Sequence, residues 1–76
     1  VPPVPLLRPA EVIKVFEKLG WQVARHQGSH IILTKKGHPA TLSVPKHDRV
    51  ARGTLRSLIR QAGITVEEFL LAASKT

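Results

Sequence analysis

The chain contains no cysteine, so neither a disulfide framework nor thiol chemistry is open to it. No run of residues has the spacing of zinc ligands. No apolar run approaches the roughly 20 residues that a membrane-spanning helix needs. The first residues lack the basic start and long apolar stretch of a secretory signal. These absences lead to the expectation of a soluble, cytoplasmic protein with no membrane partner. Acidic residues are also scarce: five Asp and Glu stand against 12 Lys and Arg, for a net charge of +7. The length of 76 residues suits one domain, which at this size buries only about 60% of its unfolded surface.

The positive charge is concentrated. Between positions 25 and 60 lie Arg25, Lys35, Lys36, Lys46, Arg49, Arg52, Arg56 and Arg60, opposed by Asp48 alone. Outside that window Arg8, Lys14, Lys18 and Lys75 are balanced by Glu11, Glu17, Glu67 and Glu68. All four histidines, His26, His30, His38 and His47, also fall inside it. A localised basic field on a small domain calls for a polyanion, and nucleic acid is the usual one. A solvated face kept positive for solubility is the plainer alternative.

Three prolines in residues 1–8 (VPPVPLLR) rule out a helix or an interior strand there. An extended, loosely ordered tail is expected, with a single domain over 9–76. Pro9 suits the first turn of a helix, and Glu11 favours the positive end of its dipole. Val12, Ile13, Phe16 and Leu19 recur at helical spacing before Gly20, which predicts a helix over 9–19. Trp21 and Val23 alternate with polar neighbours, as in a strand over 21–26 with one buried face. The β-branched run His30–Thr34 predicts a second strand. Ala40–Val44 alternates as a third, ended by Pro45. Leu55, Leu58, Ile59 and Ala62 define a helix over 52–62 with Arg52, Arg56 and Arg60 on its opposite face. Thr65 and Glu68 form a capping box that starts a third helix, reaching about Ala73. The expected class is α+β, in the order α-β-β-β-α-α, with a three-stranded antiparallel sheet and helices on one face.

Gln27-Gly28-Ser29-His30 reads as a tight polar turn that sets a histidine at the head of an apolar strand. Histidine can give or take a proton near neutral pH. If Ile31 and Leu33 face the core, strand parity puts His30 on the open face of the sheet, beside the hydroxyls of Thr41 and Ser43. A slip of one residue would bury it instead. From these four residues alone, a solvated hairpin histidine and an acid–base group are both admissible.

The segments R-H-Q-G-S-H at 25–30, V-P-K-H at 44–47 and R-G-T-L-R-S-L-I-R-Q-A-G-I-T-V-E-E-F-L at 52–70 together resemble the HicA (YcfA-like) toxins of bacterial toxin–antitoxin modules. The resemblance covers about residues 9–73. It implies a fold like that of double-stranded-RNA-binding domains and a ribonuclease that cleaves messenger RNA without a metal or other cofactor. It also implies that the histidine of G-S-H, His30, is catalytic. The implied partners are single-stranded mRNA and a HicB-type antitoxin that blocks the site, the toxin being a monomer alone and part of a hetero-oligomer with the antitoxin.

Metal-free RNA cleavage needs a base for the 2′-hydroxyl proton, an acid for the leaving 5′-oxygen and cations for the charge on phosphorus. His30 is the candidate for proton transfer. His47 is a candidate second acid or base, or else a loop histidine. Arg25, Ser29, Lys46, Arg52 and Arg56 are the candidate RNA contacts. His26 and His38 read as surface residues. A metal site has little support, because His26 and His30 lie across a turn rather than along a helix. The rival from another class is a non-catalytic RNA-binding module, gripping phosphates and 2′-hydroxyls without chemistry. The basic window fits both, and only His30 and its neighbours separate them. A protein-interaction adaptor would explain the charge only if its partner were acidic.

Overall fold

The computed structural model describes residues 4–74. The elements are α1 (Pro9–Lys18), β1 (Gln22–Gln27), β2 (His30–Thr34), β3 (Leu42–Pro45), α2 (Arg52–Gln61) and α3 (Val66–Ser74). The strands form one antiparallel sheet in the order β1-β2-β3. From the sheet, Ile31, Leu33, Leu42 and Val44 join a single core with the buried faces of all three helices. The helices therefore cover one face of the sheet and leave the other open, the α+β, double-stranded-RNA-binding-like arrangement expected.

Local chemistry sets the ends of α1. The backbone N–H of Arg8 donates to Glu11 Oε1 at 3.0 Å, so the first turn is tied down although no Ser, Thr, Asp or Asn caps it. At the other end Gly20 takes φ +99°, which a residue with a Cβ resists. The Gly20 N–H donates to the Glu17 carbonyl at 3.1 Å and the Trp21 N–H to the Phe16 carbonyl at 2.9 Å. This pair of bonds is a Schellman motif, with its usual apolar contact across the cap. The contact is Trp21 edge-on against Phe16, ring centroids 6.4 Å apart. Gly63 and Ile64 close α2 with the same pair of bonds, to Arg60 and Ile59. At the start of α3, Thr65 N–H donates to Glu68 Oε1 at 2.9 Å and Glu68 N–H to Thr65 Oγ1 at 3.1 Å, the reciprocal box expected from T-x-x-E.

Four expectations change. Trp21 is buried as part of the α1 cap, not as a strand residue, and β1 begins at Gln22 with every residue exposed. A bulge between Val23 and Arg25 breaks the simple alternation, and β1 is an edge strand that the helices leave largely uncovered. β3 begins two residues later than expected and ends one later, including Pro45, which an edge strand tolerates because one side needs no donor.

His38 is half-buried. Its Nδ1 accepts the Ala40 N–H at 3.2 Å and its ring lies 4.9 Å from that of Trp21, so it braces the β2–β3 connection rather than standing free. The expected loose tail over 1–8 falls partly outside the described residues. Its described part, 4–8, is packed down. Val4 is 1% exposed and belongs to the core. The Val50 N–H donates to the Leu7 carbonyl at 2.7 Å, and Arg52 Nε donates to the Val4 carbonyl at 3.0 Å. Proline stops this strap from becoming a helix but not from burying a valine, which contributes roughly 1.5–3 kcal/mol.

Candidate functional site

The turn between β1 and β2 has two central residues. Gly28 has φ +59°, and no residue other than glycine has positive φ among those described. Positive then negative φ at the two central positions is the pattern of a type II′ turn, which wants glycine first and matches the twist of the strands. Gln27 and His30 close this turn as direct partners. His30 is thus held at the first position of β2 by backbone geometry alone.

Strand register then places the side chains. Arg25 is opposite Ile32, Gln27 is opposite His30, and Ser43 is opposite Ile32. Direct partners share a face, and residues two apart along a strand share it too. So Arg25, Gln27, His30, Ile32 and Ser43 all lie on the open face. Gln27, Gly28, His30, Ile32 and Ser43 line a shallow depression of about 360 Å³. Ile32 is only 8% exposed yet stands outside the core cluster, so it forms an apolar floor on the polar side of the sheet. His30 is exposed, and neither of its ring nitrogens meets another described residue.

Lys46 is tied to the same place. Its N–H donates to the Ser29 carbonyl at 2.7 Å, which extends the β2–β3 pairing by one bond and pins the start of the 46–51 loop to the turn. Arg25 thus shares the open face of the sheet with His30, and the backbone of Lys46 is held beside Ser29 at the turn that His30 follows. The other expected contacts lie elsewhere. His47 lines a separate depression of about 580 Å³ with Arg8, Pro9, Ala10, Asp48 and Arg49, and the two depressions share no residue. Arg52 spends its Nε on the Val4 carbonyl. Arg56 is exposed on α2, on the flank of the face that Leu55, Leu58 and Ile59 bury, where it lines a depression with Ile59, Arg60, Ile64 and Val66 rather than with any sheet residue.

Two neighbours of His30 carried no role in the sequence reading: Gln27 as its cross-strand partner and Ile32 as its floor. A two-residue loop length would have paired Gln27 with His30. Nothing in the Ile31-Ile32-Leu33 run marks Ile32 as different from its neighbours. Among the described residues, no three His, Cys, Asp or Glu side chains stand where they could hold a metal ion. Phe16, Trp21 and Phe69, the chain's three aromatic residues, are all buried. The open face thus presents cations, amides, hydroxyls and the His30 imidazole, with no exposed Phe or Trp ring.

Fold and site together define a small basic α+β domain with a lone, exposed histidine at the head of its central strand. Residues 9–64 match the family model described as HicA toxin of bacterial toxin–antitoxin. The chain belongs to the HicA toxin family, and its role is that of a toxin whose partner is an antitoxin. Comparison with curated proteins and with solved structures gives no match. No helix among the described residues is long and apolar enough to cross a membrane.

Proposed function

We propose that this toxin is a metal-independent endoribonuclease that cleaves single-stranded mRNA in the cytoplasm, with His30 as its acid–base group. The observation that carries this reading is His30 itself: exposed, unpartnered, and fixed by a type II′ turn above the Ile32 floor. In the reaction the 2′-oxygen attacks phosphorus and the bond from phosphorus to the 5′-oxygen breaks, leaving a 2′,3′-cyclic phosphate and a 5′-hydroxyl. His30 takes the 2′-hydroxyl proton. The 5′-oxygen leaves with a proton supplied by the Lys46 ammonium or by water in the open depression. Arg25 and Lys46 offset the charge that builds on the phosphoryl oxygens, and the Ser29 hydroxyl and the Gln27 amide offer hydrogen bonds to the strand. In this reading His47, which lines another depression, is given no part in proton transfer. A general acid–base group of this kind contributes about 10²–10⁴-fold.

The antitoxin in this reading is of the HicB type. It blocks the open face, and the toxin is a monomer until the two form a hetero-oligomer.

One observation favours a second reading, a non-catalytic RNA-binding module: no side chain orients the His30 ring, whereas catalytic histidines are commonly held by a further group. Labelled single-stranded RNA incubated in chelator with the wild type and with His30→Ala separates the two. Cleavage by the wild type alone supports the ribonuclease. Equal cleavage by both removes His30 from the mechanism. RNA bound but uncut by both establishes the binding module.

A further inference from the structure

The exposed face of α2 carries Arg52, Arg56 and Arg60, one on each turn, and the helix contains no acidic residue. Such a ridge carries an electrostatic cost. Like charges four residues apart on a helix repel, and cations in a first turn oppose the helix dipole. Arg52 has a compensating bond to the Val4 carbonyl, and Arg60 sits in the last turn, where a cation is favoured. Arg56 has neither return. It lies between two like charges, and no carboxylate meets Arg56 or Arg60 among the described residues. A fold that gains nothing from this arrangement points to a partner that does.

The ridge cannot serve the phosphate at His30. His30 is on the open face, whereas α2 lies on the covered face with Arg56 and Arg60 turned outward. A helix with its side chains is about 10–12 Å across, and the sheet and core lie between as well. The two surfaces are nevertheless joined at one end of the molecule. Lys46 is pinned to the turn at Ser29, and the loop that follows leads through His47 and Arg49 into Arg52 at the start of α2.

We infer that the outer face of α2 is a second, non-catalytic surface for the RNA backbone, so that a bound strand runs from His30 over the 46–51 loop and along Arg52, Arg56 and Arg60. This rests on the reading of the protein as an RNA-binding toxin. Four residues of helix rise about 6 Å, so the ridge is a regular file of cations suited to a regular file of phosphates. A protein partner would need an apolar anchor at the centre of its contact. The large exposed apolar side chains of the described chain are Leu6, Val23 and Leu71, none of them on α2. Arg56 and Arg60 themselves line a shallow depression of about 230 Å³ with Ile59, Ile64 and Val66, but these three are buried or half-buried and offer no exposed apolar anchor.

The test uses the full chain with His30→Ala, so that RNA stays intact, and compares it with the same chain carrying Arg56→Gln and Arg60→Gln. Circular dichroism checks that both are folded. Binding of a labelled twenty-nucleotide single strand is followed by fluorescence anisotropy over a salt series. The expected result is weaker binding and a log–log salt slope shallower by about 1.4, at about 0.7 per lost phosphate contact on single strands. The loss should add to that of Arg25→Gln on the open face, since separated sites act independently. An unchanged slope, with RNA still bound, overturns the ridge and leaves the RNA reading standing. No RNA binding by either chain overturns both. Arginine-dependent binding of polyglutamate together with unchanged RNA binding overturns the proposal in favour of an acidic protein partner.

Discussion

Alternate residues of β2 enter two different environments. Ile31 and Leu33 are buried in the core that the helices close, while His30 and Ile32 lie on the open face between Gln27 and Ser43. One strand of five residues therefore supplies the packing that holds the domain and the side chain proposed to do its chemistry. Because successive side chains point to opposite faces, each set can be altered with little direct effect on the other. Ile32 tests this division: it is as apolar and nearly as buried as its neighbours but packs on the polar side.

The largest expected effect is on the covered side. Leu33 is fully buried, and Leu33→Ala should cost about 2–5 kcal/mol through lost contacts and the cavity left behind. Against a total stability of about 4–11 kcal/mol for a chain of this length, that is a large share, readable as a drop in the urea midpoint. A cost below about 1 kcal/mol would mean that Leu33 is not at the centre of the core.

On the open face, His30→Ala should lower the rate of RNA cleavage by at least roughly 10²-fold while moving stability by no more than about 0.5 kcal/mol. Cleavage assays and urea melts on one preparation check both halves. A stability loss comparable to that of Leu33→Ala would show that the two faces are not separable.

Ile32→Ala should fall between these, at about 1–2 kcal/mol, below the range for core residues because water can enter the dent it leaves. It should also weaken cleavage by loosening the floor under His30. A loss as large as that of Leu33→Ala would place Ile32 in the core, and no loss of cleavage would separate the floor from the site.

An effect on stability no larger than that of Ile32→Ala is expected at the turn. An added Cβ at Gly28 meets nothing within 4 Å, so Gly28→Ala should cost only the strain of positive φ, about 1–2 kcal/mol. A milder denaturation shift would mean that the turn changes type, and the His30 site should then show it as altered cleavage.

Much of this arrangement was legible in the residues. The periodicity of 9–19 and 52–62, the reciprocal Thr65–Glu68 cap and the β-branched run at 30–34 are local signals that tertiary contacts reinforced. The register that puts His30 outward followed from parity together with the preference for wetting a titratable group. The failures share a cause. Trp21 looked like a strand residue because burial was read as alternation, whereas its burial comes from the Schellman contact with Phe16. Val4 looked like part of a loose tail because proline marks the absence of regular structure, not the absence of packing. His38 looked exposed because its partners, Trp21 and the Ala40 N–H, become neighbours only through the turn.

The order of elements, the ends of the helices, the Gly28 turn and the concentration of positive charge are properties of neighbouring residues, and the chain determines them by itself. Which cations share a surface is not such a property. Arg25, Lys46 and Arg56 belong to one basic window in the sequence, but the sheet puts Arg25 on the open face with His30 and pins the Lys46 backbone beside Ser29, while the helix layer turns Arg56 away. His47, one residue from Lys46, lines another depression with Arg8 and Pro9. Helix packing chose one face of the sheet to cover, because that face carries Ile31, Leu33, Leu42 and Val44, and the open face became the site by what was left uncovered.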